Sequence, residues 1–193
     1  MNPSTAQTGE GQTGEGQTGE GASAEPRGLV VWLTGRPSSG KTTLATAMRR
    51  RLMRAGFGCI VLDGDRVREA IVPAHGYSTA SRAAFYETLS RLAAMLCNQG
   101  MIVLVPATAH RAAYRAAARD QASAFVEVFV DTPREECEKR DDKGLYARAH
   151  AGEIHELPGE SFEIPVSPDL VAHGGHDQAA VAQLLDLVSR RVP

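Results

Sequence analysis

From residue 29 onward the chain alternates short apolar runs with longer stretches in which apolar side chains return every three or four positions. The runs are Leu29-Val30-Val31-Trp32-Leu33, Cys59 to Leu62, Met101 to Val105 and Phe125 to Val130. Each is too short for a helix and too uniformly apolar for a sheet with one wet face, so they predict strands buried on both sides. After the first run, Leu44, Ala45, Met48, Leu52 and Met53 fall at helical spacing and stop at Gly56 and Gly58. A second helix is predicted from about Thr79 to Asn98, carried by Leu89, Leu92, Ala93 and Leu96, and a third through the alanine-rich stretch from Arg111 to Gln121. Asp131-Thr132-Pro133 ends the fourth run and opens a helix to about Arg140, and Gln178 to Val192 is amphipathic again. This alternation predicts an α/β fold, a parallel sheet with helices on both faces. Asp141 to His176 is rich in Gly, Pro, His and Glu and follows neither period, which suits a lid or a substrate loop.

Residues 1–27 break this picture, because Gln-Thr-Gly-Glu-Gly occurs three times in succession from Gln7 to Gly21 with almost no apolar side chain. Such a segment cannot bury enough surface to offset its ordering entropy, so it reads as a disordered tail, with an acidic docking tail as the alternative. The rest of the 193 residues, 28–193, is one catalytic domain's worth of chain. Four glutamates against Arg27 give the tail a net −3, leaving the remainder at +1 of the chain's −2. Nothing in that balance points to nucleic acid. Neither a basic start with an apolar core nor a run long enough to span a bilayer is present, so the expected setting is the cytoplasm, with no membrane partner. Cys59, Cys97 and Cys137 are odd in number and far apart, which suits reduced thiols rather than a disulfide framework or zinc site.

The chemistry begins directly after the first run. Gly35-Arg36-Pro37-Ser38-Ser39-Gly40-Lys41-Thr42-Thr43 fits the phosphate-binding pattern GxxxxGK[ST] between a strand and a helix. Gly35 and Gly40 let the backbone wrap a phosphate, so that amide N–H groups converge at the start of the following helix. Lys41 then supplies a point charge to the β- and γ-phosphates of ATP, and the Thr42 hydroxyl a ligand for Mg²⁺. The bland alternative is a Gly/Ser-rich turn before a helix. In parallel sheets ligands sit at the carboxyl ends of the strands, beside the topological switch point. That gathers Gly35 to Thr42, Asp63 to Arg68, Pro106 to Arg115 and Asp131 around one cleft. Asp63-Gly64-Asp65 would repel a triphosphate unless a carboxylate holds Mg²⁺ or takes a proton from an attacking hydroxyl. Its local reading is an Asp-Gly turn with Asp65 capping a short helix.

Taken together, these residues resemble the adenylylsulfate kinases, which phosphorylate the ribose 3′-hydroxyl of adenosine 5′-phosphosulfate with MgATP. The likeness spans 28–192. It is carried by Val31 to Gly35 leading into the phosphate loop, Leu62-Asp63-Gly64-Asp65 with Arg68, Gly76-Tyr77-Ser78 with Arg82, and Val128 to Pro133. Cys137 to Asp141 and Lys143-Gly144-Leu145-Tyr146 with Ala151-Gly152-Glu153 are the more specific groups. The resemblance implies a nucleotide-kinase-like P-loop fold with a lid, and Asp63 as the catalytic, magnesium-linked carboxylate. It also implies Asp65, Arg68, Arg82 and Lys143 as contacts to the phosphosulfate substrate, Tyr77 against its adenine, and a homodimer. Direct transfer is expected, with lid closure by Lys143 and Arg148 expelling water.

The departures fall on the acceptor side. Phe85 stands where the family has Asn, Glu87 and Thr88 replace basic residues, and Ala107-Thr108-Ala109-His110-Arg111-Ala112 replaces a Phe-Ile-Ser-Pro-Tyr-Arg type of segment. Ala109 takes the place of a serine that some members phosphorylate, and the 156–163 loop is shortened, with Leu157 nearest to an adenine-stacking phenylalanine. A related kinase acting on another nucleotide or small metabolite is therefore the alternative. A non-enzymatic nucleotide switch is disfavoured by the absence of an Asn-Lys-x-Asp motif. His110, Arg111 and Arg115 follow the third strand at the cleft and are candidates to grip an anion, against a plain helix-start role. His150, His155, His173 and His176 read as solvated loop histidines.

Overall fold

Four of the predicted strands form in a computed structural model, which describes residues 28–73, 76, 78–153, 157 and 161–192. The repeat segment 1–27 and Tyr77 lie outside these described residues. β1 (Leu29–Thr34), β2 (Cys59–Val61), β3 (Ile102–Pro106) and β4 (Phe125–Val130) are joined by a fifth strand, β5 (Leu170–Ala172). All pairings are parallel, in the order β2-β3-β1-β4-β5. β1 thus lies between β3 and β4, and the chain leaves it at the point where the order reverses.

The helices are α1 (Lys41–Arg54), α2 (Gly64–Ala70), α3 (Thr79–Cys97), α4 (Ala112–Gln121), α5 (Arg134–Arg140), α6 (Leu145–His150) and α7 (Gln178–Arg191). Alternation along β1 divides the core. Leu29, Val31 and Leu33 face Leu44, Met48 and Leu52 of α1 and Leu184 and Val188 of α7. Val30 and Trp32 face Phe85, Leu89 and Ala93 of α3 and Ala118 of α4. A strand that buries both of its faces has no polar position to spare, which is why β1 reads as a continuous apolar run.

Two elements depart from the expectation of an irregular stretch from Asp141 to His176. β5 is only three residues long, with Leu170 and Ala172 buried and Val171 40% exposed at the sheet edge, too short to leave a period in the sequence. α6 forms after Gly144 turns the chain left-handed at φ 62°. Its first amides are satisfied from outside, the Asp141 carboxylate accepting from Tyr146 N and Ala147 N at 3.1 and 2.9 Å. The cap of α2 also differs: Asp63, not Asp65, is its N-cap, the Asp63 Oδ1 accepting from the amides of Asp65 and Arg66. Among the described residues no helix is long and apolar enough to cross a membrane.

Candidate active site

The phosphate loop is held from three sides. Thr132 Oγ1 donates to Ser39 O at 2.9 Å, and Tyr146 OH donates to Pro37 O at 3.3 Å from α6. From the third side, Gly175 approaches so closely that a Cβ on Gly40 would lie 2.7 Å from its N and Cα. Gly40 adopts φ 94° and opens α1 with no side-chain cap, so the first amides of α1 keep their donors for an anion. Gly35 is needed for space as well, since a Cβ there would meet Val130 O at 2.7 Å and Ser39 Oγ at 2.8 Å. That buried Ser39 hydroxyl has no hydrogen-bond partner among the described residues, an orphan that suits a loop built around a polar ligand.

Lys41 borders the cavity, and its Nζ donates to the loop carbonyls Gly35 O at 3.0 Å and Arg36 O at 2.7 Å. Burial pulls its pKa down from 10.5 to about 8, against opposing attraction from Asp65, Cys137 and Asp63. Thr42 Oγ1 donates to Asp63 Oδ2 at 2.7 Å. Asp63 is buried and does not itself line the cavity; its Oδ1 accepts the two cap bonds and its Oδ2 the Thr42 hydroxyl. Two hard oxygen donors side by side at a phosphate loop fit Mg²⁺, which takes few protein ligands and completes its shell with phosphate and water. No cluster of three or more His, Cys, Asp or Glu that could hold a metal occurs among the described residues.

A cavity of about 770 Å³ extends from the loop, with Pro37, Ser38, Gly40, Lys41, Thr42 and Thr43 on one side. Asp65, Arg68, Arg82 and Lys143 line the rest, so these four expected residues do converge. Gly35, Arg36 and Ser39 lie in the loop behind the wall. Phe85, Ala107 and Leu157 give the acceptor side an apolar surface. Lys143 and Asp65 form an ion pair across the mouth, joining the lid segment to α2. Arg148 also lines the cavity and pairs with Glu153 at 3.1 Å.

His110, Arg111 and Arg115 do not line the cavity, which corrects the anion-gripping expectation for them. Arg115 is 4% exposed and uses its fork internally, donating to Ala109 O and Glu163 O at 2.8 Å each and pairing with Glu127 at 2.7 Å. A buried guanidinium needs that carboxylate, and the pairing ties it to β4. His110 is buried edge-on to Tyr114, and Arg111 is exposed at the head of α4. Nothing in the sequence marks Thr132, Tyr146 and Gly175 as supports of the loop, although the first two stand in the Val128 to Pro133 and Lys143 to Tyr146 groups.

A parallel sheet with a phosphate loop at the switch point, a Thr–Asp pair beside it and a lid facing it define a P-loop kinase. The comparisons narrow the class. The family profile described as adenylylsulphate kinase matches residues 27–173. An adenylyl-sulfate kinase of Paraburkholderia xenovorans is 43% identical over 148 residues, 75% of this chain and 83% of that protein. The bifunctional enzyme CysN/CysC of Mycobacterium tuberculosis is 44% identical over 151 residues, where the match spans only 25% of the larger protein. Among solved structures, the M. tuberculosis APS kinase CysC in complex with AMPPNP and APS superposes with a TM-score of 0.78 at 40% identity, covering 85% of this chain and 99% of that one. The chain belongs to the adenylylsulphate kinase family.

Proposed function

We propose that this chain transfers the γ-phosphoryl group of ATP to the ribose 3′-hydroxyl of adenylylsulfate, giving 3′-phosphoadenylylsulfate and ADP. The observation that carries the reading is one cavity bordered by the phosphate loop on one side and by Asp65, Arg68, Arg82 and Lys143 on the other. The relative that superposes over 85% of the chain was solved with an ATP analogue and APS, which supports placing donor and acceptor on those two sides. The loop amides and Lys41 hold the β- and γ-phosphates. Mg²⁺, held by Thr42 and Asp63, would neutralise charge on the phosphate oxygens. Asp63 orients the 3′-hydroxyl and accepts its proton as the acceptor oxygen bonds to the γ-phosphorus and the β–γ bridging bond breaks. Arg68 and Arg82 present forked donors to the phosphosulfate, and the lid bearing Lys143 and Arg148 excludes water. Ala109 offers no nucleophile at its position, which supports direct transfer. Positioning and charge stabilisation then carry the rate. The test is a panel of acceptors with labelled ATP: adenylylsulfate should show the highest kcat/KM, and a different acceptor labelled far faster would replace this reading.

A further inference from the structure

We infer that Phe85 is a positioning residue for the acceptor, acting through Arg68: its buried ring is the platform that sets the plane of the Arg68 guanidinium on the cavity wall. This rests on the kinase reading above for the identity of the acceptor, and on geometry alone for the platform. Arg68 stands in the last turn of the short helix α2 and is half-buried. Its guanidinium carbon lies 3.7 Å from the centroid of the Phe85 ring, the distance of a face-on stack. Its Nη1 donates to Gly76 O at 3.1 Å, which fixes rotation within that plane.

The platform is itself fixed. Phe85 is 2% exposed on α3, one turn beyond Arg82. Its ring meets Tyr86 edge-on at 5.4 Å and 62°, and Tyr86 stacks in turn on Tyr114 at 4.7 Å. The Tyr86 hydroxyl accepts from Ala109 N at 2.9 Å, joining the aromatic series to the loop after β3. Ala109 sits there at φ 39°, a left-handed conformation held by this bond and by Arg115 on its carbonyl. A guanidinium seated 3.7 Å over a rigid ring and tied by one N–H to Gly76 O has few orientations left, so it loses little freedom when it grips an oxyanion bidentately. An apolar side chain of similar volume would fill the same space without setting that plane. Phe85 therefore works on acceptor binding, and specifically on the anionic group that a planar fork recognises.

The test is a double-mutant cycle on the full-length enzyme with Phe85→Met and Arg68→Lys, each first checked by melting temperature. In the wild-type background Phe85→Met should raise KM for adenylylsulfate about three- to tenfold, with kcat and KM for ATP little changed. In the Arg68→Lys background, where no planar group remains to orient, the same change should have almost no further effect. An equal effect in both backgrounds, or a parallel fall in kcat and ATP affinity, would overturn the inference. The arginine Nε–H spectrum of the wild-type protein gives a second readout that needs no acceptor and no variant that folds. Arg68 should show an upfield ring-current displacement and slow solvent exchange, and an ordinary, rapidly exchanging signal would overturn the platform. If adenylylsulfate were not turned over by the wild type, the proposed function would fail while this spectrum still decided the role of Phe85.

Discussion

Removing the Lys41 charge should change stability in a way that depends on pH with a defined sign. Burial lowers the Lys41 pKa from 10.5 to about 8, so the unfolded chain holds its proton more tightly than the folded one. Below pH 8 both states are charged and the cost of burying the ammonium is present in full. Between pH 8 and 10.5 the folded state loses the proton first, the unfolded state binds more protons, and stability rises with pH. At 1.36 kcal/mol per unit the whole effect is roughly 3 kcal/mol. Lys41→Met keeps the stem and removes the titration. Urea unfolding of both proteins should therefore show the stability difference moving in favour of the wild type by about that amount between pH 7 and 10.5, on top of a pH-independent offset for the lost Nζ hydrogen bonds. Taking the difference cancels titrations common to both, including Cys59, which burial pushes up to about 11. Bound triphosphate should reverse the shift, so ATP binding near pH 9 should take up close to one proton, read by calorimetry in buffers of different ionisation enthalpy. A stability difference that stays flat from pH 7 to 10 would refute the reasoning, since it would mean that the ammonium is not desolvated by the loop.

Gly175→Ala should weaken ATP binding about tenfold and cost on the order of 1–3 kcal/mol, because the new Cβ would lie 2.8 Å from Gly40 O and 3.0 Å from Gly40 Cα. Unchanged KM for ATP with an unchanged melting temperature would show that the contact yields without effect. Asp63→Asn should lower kcat by at least a hundredfold while changing ATP affinity much less; a change confined to the ATP dissociation constant would make Asp63 a binding residue only. Deleting residues 1–27, a repeat without apolar anchors, should leave melting temperature and turnover nearly as they were, and a loss of many degrees would make the tail part of the fold.

The sheet was legible because β1, β3 and β4 are buried on both faces and leave near-continuous apolar runs, broken within β4 only by Glu127. The phosphate loop was legible because its residues form a contiguous motif between a strand and a helix, with the left-handed turn at Gly40 set within it. What holds that loop in place was not. Thr132, Tyr146 and Gly175 reach it from 93, 109 and over a hundred residues away in the chain, and only the tertiary fold brings them together. α6 and β5 are six and three residues long and are stabilised by Tyr146 packing with Cys137 and Leu157 and by pairing with β4, neither of which leaves a period. Arg115 stayed open between an anion ligand and a helix-start residue because its partner Glu127 lies on a neighbouring strand that sequence alone does not bring beside it. The choice between Asp63 and Asp65 as cap turned on which of the two precedes the first helical residue, a boundary that sequence alone places only within a residue or two.

The product of one reaction decides whether adenylylsulfate is the acceptor. Purified full-length protein, ATP, Mg²⁺ and adenylylsulfate should be followed by ³¹P NMR, with Asp63→Asn as the matched control. The wild type should produce a phosphomonoester resonance at the 3′ position of adenylylsulfate in step with the loss of the ATP γ-signal, and the control should show almost none. Release of inorganic phosphate alone, or no transfer at all from a folded protein that binds ATP, would contradict the assignment of adenylylsulfate as acceptor.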